Sequence, residues 1–260
     1  MKLRQITVIA SLILAGMSNV ASAHVETTTQ PRTIKNIVLV HGLFADGSSW
    51  SKVIPQLQAK GLHVTSVQNP TTSLDNDAAA VKNVLAQQDG PVILVAHSYG
   101  GMVISQAGND PKVKGLVYIA ARAPEAGEDY AALTKKFPPA PASAGLQWHN
   151  DGYGALSESA FIHDFAGDLP KNEAEVYYAA QQPIGKAITT ARTTVAAWHN
   201  KPTWYAVSTE DRTINPDQQR FMAKRIHAQT IELKASHVSL ISQPNAVASL
   251  IMQAAHVPGY

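Results

Sequence analysis

Six short apolar, β-branched runs recur along this chain with helix-patterned segments between them, and that alternation leaves few folds open. The runs are Ile37–Val40, Leu62–Val67, Val92–Ala96, Leu116–Ala120, Trp204–Ser208 and Thr230–Leu233. Strands that are apolar on both faces need cover on both faces, and parallel strands need long crossovers that helices supply. The expected architecture is therefore α/β: a mostly parallel sheet flanked by helices. Between the first two runs, Ser48 or Ser49 opens a helix with Trp50, Val53, Ile54 and Leu57 on one face. From Asp75 to Gln88, apolar residues recur at Ala78, Val81, Val84 and Leu85. Pro216 marks a helix start ahead of Phe221, Met222 and Ile226, and a last helix follows Pro244 with Val247, Leu250 and Ile251 facing in. At 260 residues the chain can bury a full core in one large domain.

The rhythm breaks over 122–200. This stretch holds Pro138, Pro139 and Pro141, scattered glycines and no long strand signal. It carries nine of the seventeen aromatic residues, about half of them in under a third of the chain. Aromatics that only pack on one another would make it a helical subdomain. Aromatics that face a pocket would make it a lid, since insertions between sheet elements carry recognition surfaces. The expected organisation is a core from 24–121 and 201–260 with a helical cap over 122–200. Trp148, Tyr153 and Phe161 are the cap residues assigned to the pocket, with Phe44 from the core.

Residues 1–23 have the form of a secretory signal peptide. Lys2 and Arg4 make a basic start, Ile6 to Ala15 an apolar stretch, and Ala21-Ser22-Ala23 an A-x-A cleavage site. The apolar stretch is too short to span a bilayer, so no stable membrane anchor is expected after cleavage. The expected destination is the periplasm or the exterior. Losing Lys2 and Arg4 takes the 21 basic residues to 19, against 19 acidic ones. No basic stripe remains, and no nucleic-acid partner is expected. The absence of cysteine excludes thiolate catalysis, disulfides and cysteine-ligated metal.

Three strand ends carry the chemistry. Val95-Ala96-His97-Ser98-Tyr99-Gly100-Gly101 places a serine between a strand and a helix. A nucleophile elbow has this form, because the serine must take a strained turn and its neighbours must be small. Ala96 stands where the usual G-x-S-x-G pattern has its first glycine. Val40-His41-Gly42-Leu43-Phe44 ends another strand in a glycine-assisted turn that can aim an N–H at an oxyanion. Leu43 is the preferred donor, Phe44 its neighbouring alternative, and Tyr99 the second donor. His41 is expected to brace the loop. Of ten histidines, His237 alone follows the last strand directly in a loop, where a base could meet Ser98. Thr209-Glu210-Asp211-Arg212 follows the strand before it and offers two carboxylates. Asp211 is preferred over Glu210 as the group that orients His237. The order Ser98, Asp211, His237 distinguishes one serine-hydrolase lineage from two others.

Taken together, His41-Gly42, the Ser98 elbow, Glu210-Asp211-Arg212…Pro216 and Ser236-His237 resemble the α/β-hydrolase superfamily. More narrowly, they are similar to small cofactor-free esterases that include plant methyl esterases and hydroxynitrile lyases. The resemblance runs from about Lys35 to Gln253. It implies Ser98 as nucleophile, His237 as base, Asp211 as orienter, oxyanion N–H groups at Leu43 and Tyr99, and a mostly helical cap. The activity it implies is hydrolysis of small to medium, largely apolar carboxylic esters through an acyl-enzyme. No cofactor is expected, since neither H-E-x-x-H, a P-loop nor a post-strand G-x-G-x-x-G occurs. Rival expectations are a lyase or perhydrolase on the same residues, or a binding protein that has lost its chemistry. In the resembling lyases a lysine directly follows the catalytic histidine; here Val238 does, and Lys234 is expected in solvent. Only a cap lysine such as Lys186 could replace that charge.

Overall fold

Each of the six apolar runs forms a strand, and the computed structural model describes residues 32–260. The stretch assigned above to a signal peptide lies outside the described residues. The strands are β1 (Asn36–Val40), β2 (His63–Val67), β3 (Val92–His97), β4 (Val113–Ile119), β8 (Thr203–Ser208) and β9 (Gln229–Leu233), with β5 (Leu146–Trp148), β6 (Tyr153–Leu156) and β7 (Ile184–Gly185) between them. The six form one sheet in the order β2-β1-β3-β4-β8-β9. Every pairing in it is parallel. β1 and β3 are wholly buried, whereas the edge strand β9 alternates between exposed and half-buried positions. The chain winds outward from β1 in one direction to β2 and in the other to β3. That reversal opens a crevice at the carboxyl ends of β1 and β3, where open α/β sheets bind ligands.

The helices are α1 (Ile54–Gln58), α2 (Leu74–Ala86), α3 (Gly100–Ala107), α4 (Tyr130–Thr134), α5 (Glu158–Ala160), α6 (Lys171–Ala179), α7 (Pro216–Arg225), α8 (Ser239–Ser242) and α9 (Pro244–Ala254). Ser73 caps α2 by accepting from Asn76 N, and Pro216 begins α7 behind the Asn215 cap, as their residue types dictate. One helix differs from expectation. The segment at Ser48 forms a 3-10 turn, Gly47–Trp50, capped by Asp46 rather than by serine, and α1 starts afresh at Ile54. Pro55 explains the break: it has no N–H to give and its ring excludes the preceding turn's carbonyl.

Between β4 and β8 the helical segments are short and are joined by a small sheet. A three-stranded antiparallel sheet, β5-β6-β7, sits among the short helices α4, α5 and α6. Gly152, at φ +85°, makes the reversal between β5 and β6, a conformation open to glycine and strained for most residues. With six prolines over 122–200 and this hairpin in the segment, the longest helix there is the nine residues of α6.

Candidate active site

Val40 of β1 lies opposite Ala96 of β3, so the turns that follow the two strands emerge side by side. Ser98 takes φ +55°, a strained value for a residue with a Cβ. Three backbone bonds hold it there: Ser98 N donates to Ile119 O (3.1 Å), while Ser98 O accepts from Arg122 N (2.9 Å) and Gly101 N (3.0 Å). Two glycines are required by space. A Cβ at Gly42 would lie 2.6 Å from Ser98 Cβ, and one at Gly101 would lie 2.0 Å from Arg122 O. Ala96, fully buried in β3, fits where the usual pattern has glycine.

His237 enters from the loop after β9. Its Nε2 lies 2.7 Å from Ser98 Oγ and its Nδ1 lies 2.6 Å from Asp211 Oδ2. A carboxylate only accepts, so Nδ1 carries the proton and Nε2 faces the serine as an acceptor. Asp211 is held by three further donors: Thr213 N (2.7 Å) and Ile214 N (2.9 Å) on Oδ1, and Gln219 Nε2 (2.6 Å) on Oδ2. Ser98, Asp211 and His237 are all buried. A hydroxyl, an imidazole and a carboxylate in this line can move a proton from Oγ to Nε2 as Oγ attacks a carbonyl. Glu210, the alternative carboxylate, points away to Lys234 at 3.8 Å on the surface.

The neighbouring turn supplies donors. Among the described residues, the N–H groups of Leu43, Phe44 and Tyr99 have no intramolecular acceptor. Free N–H groups beside a buried serine suit an oxyanion. Phe44 lies at φ +61°, which bends the turn towards the elbow. Tyr99 is anchored by its side chain: its hydroxyl donates to Asp77 Oδ2 (2.7 Å), and Asp77 also accepts from Thr71 N (2.7 Å). Burial raises the Asp77 pKa and, with Asp77 beside it, raises that of Tyr99 as well.

Four of these supports carried no sequence signal. His97 Nε2 donates to His237 O (2.9 Å), and burial holds its pKa well below the usual imidazole range, with His237 adding to the depression. Asp168, from the segment between β4 and β8, accepts from Ser236 N (2.9 Å) and from Ser236 Oγ, fixing the residue before His237. Gln219 and Asp77 lie on helices, one holding Asp211 and the other Tyr99. Each contact joins residues far apart in the chain or on helix faces, and no local motif marks them.

Two cavities flank the site. One of about 20 Å³ is bordered by Phe44, His97, Phe161, Phe165, Val238 and Leu240. The other, about 150 Å³, is bordered by Leu43, Phe44, Arg122, Leu146, Leu156 and Ile184 among others. Phe44 and Phe161 therefore face the site region, Phe161 packing on Phe165 at 4.8 Å between ring centroids. Trp148 and Tyr153 do not. They are 40% and 39% exposed and border neither cavity. In the β5–β6 hairpin, Leu146 pairs with Leu156 and both turn inward, while the Trp148 ring lies over Gly154. The aliphatic residues of that hairpin, not its aromatics, meet the cavity. Lys186 is exposed, and Val238 follows His237 as a buried apolar residue. Among the described residues, no group of three or more His, Asp or Glu is placed to hold a metal ion.

Known proteins resemble this chain in sequence and in fold. A pyrethroid hydrolase from Sphingobium wenxiniae is 26% identical over 257 residues, covering 87% of this chain and 89% of that protein. Salicylic acid-binding protein 2 from Nicotiana tabacum is 26% identical over 256 residues, covering 85% and 97%. The crystal structure of polyneuridine aldehyde esterase superposes with a TM-score of 0.73 over 84% of this chain and 98% of that one, at 19% identity, a likeness of fold. The model of the alpha/beta hydrolase family matches residues 37–250, and this chain belongs to that family.

Proposed function

We propose that this chain is a serine carboxylesterase acting on small to medium, largely apolar esters. Ser98 Oγ attacks the ester carbonyl as His237 Nε2 takes its proton, and the carbonyl oxygen becomes an anion held by the N–H groups of Leu43 and Tyr99. The tetrahedral species collapses, His237 returns the proton to the departing alcohol, and the acyl group stays on Ser98. Water then attacks that ester, giving its proton to His237, and the acid leaves as Oγ is reprotonated. Asp211 holds the imidazole in the required tautomer throughout. The observation that carries this is the unbroken contact from Ser98 Oγ through His237 to Asp211, at 2.7 Å and 2.6 Å, on a strained elbow. The esterase and hydrolase names of the relatives support it. The apolar cavity walls at Leu43, Phe44, Leu146 and Leu156 support the substrate size and character.

The leader form of residues 1–23 further supports export to the periplasm or exterior. Sequencing the mature N-terminus from a secreting host tests it; cleavage after Ala23 is expected, and an intact Met1 in that host contradicts it.

Kinetics test the assignment of Ser98. In Ser98→Ala, kcat/KM on p-nitrophenyl and methyl esters should fall by about three orders of magnitude or more, with an unchanged circular dichroism spectrum. Retention of more than about a tenth of the activity contradicts it.

A further inference from the structure

Arg122 is the unexplained charge beside this site. Its backbone N–H binds Ser98 O at 2.9 Å, so the residue sits directly against the elbow. Its guanidinium lies 4.6 Å from the Tyr130 ring centroid and 5.7 Å from that of Tyr99. The only hydrogen bond it makes among the described residues is to Met102 Sδ at 3.8 Å, a weak acceptor. Its Nε is buried without a partner. No carboxylate among the described residues lies within salt-bridge distance of it, although Arg192, Arg212, Arg220 and Arg225 each have one.

Arg122 also borders two neighbouring cavities, of about 150 Å³ and about 300 Å³. Ser143, Ile188, Thr189 and Thr213 are shared with it by both walls, and neither wall carries an acidic residue. The three hydroxyls are already committed: Ser143 Oγ donates to Ala140 O (2.8 Å), Thr189 Oγ1 to Lys186 O (2.8 Å) and Thr213 Oγ1 to Asp164 O (3.3 Å). Among these shared wall residues the guanidinium is therefore the one strong donor left free. With Nε sealed off and Nη1 held only by the weak sulfur acceptor, the two Nη groups of the half-buried guanidinium fit a carboxylate in a two-bond grip, and shielding beside apolar walls strengthens that bond.

We propose that Arg122 binds a carboxylate at the end of the substrate remote from the scissile ester, so that the preferred substrates are half-esters of dicarboxylic acids with an apolar body. This rests on the esterase function proposed above and narrows it. Leu43, which faces the same 150 Å³ cavity, links the anion site to the proposed oxyanion turn.

The test compares mono-methyl esters of glutaric to suberic acid with methyl esters of monocarboxylic acids of matching length. For the best chain length, the wild-type kcat/KM ratio of half-ester to neutral ester should exceed about tenfold, the value of one charge-assisted pair. In Arg122→Gln that ratio should fall towards one, and in Arg122→Lys it should be partly kept, since the charge survives without the fork. Thermal unfolding checks that both variants fold, and Arg122→Met, which keeps the apolar stem, serves if Arg122→Gln does not. A wild-type ratio of one or less at every length, or a preference unchanged by Arg122→Gln, overturns the proposal. A second arm does not depend on turnover: calorimetric titration of mono-methyl adipate into Ser98→Ala should show binding that weakens about tenfold or more when Arg122→Gln is added. Binding lost with Arg122 but no hydrolysis of any ester would overturn the esterase assignment and leave the anion site standing. Binding indifferent to Arg122 would do the reverse.

Discussion

Gly42 shows how little freedom the site leaves to single residues. With only 2.6 Å between its Cβ position and Ser98 Cβ, an added methyl must displace the elbow or the oxyanion turn. Gly42→Ala should therefore lower kcat/KM by at least about tenfold while costing about 1–3 kcal/mol in stability, as overpacking does. Steady-state kinetics and denaturant unfolding check both parts, and full activity would show that the turn can yield. Ser98, Asp211 and His237 could be read from the sequence because each stands at a strand end inside a recognisable turn. Gln219, Asp168 and Arg122 could not. Gln219 and Asp168 serve the site through contacts with residues 8 and 68 positions away, and Arg122 declares itself only by an Nε buried with no hydrogen-bond acceptor. Glu210 and Asp211 were separable by sequence only as a preference. The turn decides between them, since Thr213 N and Ile214 N close on Asp211 and leave Glu210 outside.

Among the elements, strand runs translated directly into structure because their apolar faces had to be covered, and all six appear within three residues of their expected ends. The segment between β4 and β8 translated less directly. Its aromatic content suggested a lid lined by Trp148, Tyr153 and Phe161, but Trp148 and Tyr153 flank the hairpin turn and lie exposed, while the Leu146–Leu156 pair at the other end of the hairpin meets the cavity. Side-chain type says what can be buried; place along the hairpin decides what is. Leu156→Ala should change KM across an ester panel by about fivefold or more, since it removes a wall from the cavity. Trp148→Ala and Tyr153→Ala should each change it by less than about twofold. The opposite ranking would return the two aromatics to the binding surface. The same segment also braces the chemistry. Asp168→Ala frees Ser236 and should lower kcat more than KM, because it disturbs the placement of His237 rather than the pocket.

For the molecule as a whole, the buried imidazoles set how stability responds to acid. Burial lowers the folded-state pKa of His97 and His41 below the ordinary 6.5. Below about 6.5 the unfolded chain therefore takes up protons that the folded chain refuses, so stability is complete above that pH and drains away as the pH falls. Each histidine can contribute up to about 1.4 kcal/mol per pH unit in that window. Asp77 acts with the opposite sign lower down. Its raised pKa lets the folded state protonate first as the pH approaches the carboxylate range, which returns part of the loss. Tm should be level from about pH 8 to 7 and then fall between about pH 6.5 and 5, with a shallower fall in His97→Gln. A Tm indifferent to pH over that interval would show that these rings are not held neutral.

Serine chemistry itself is open to direct observation by acid-quenching the protein during turnover of p-nitrophenyl acetate and mapping the modified peptide by mass spectrometry. One acetyl group should appear on the peptide that carries Ser98, accumulate ahead of steady state, and be absent from Ser98→Ala. Hydrolysis that proceeds with no acyl group on Ser98, or with the group on another residue, would contradict the proposed role of Ser98 outright.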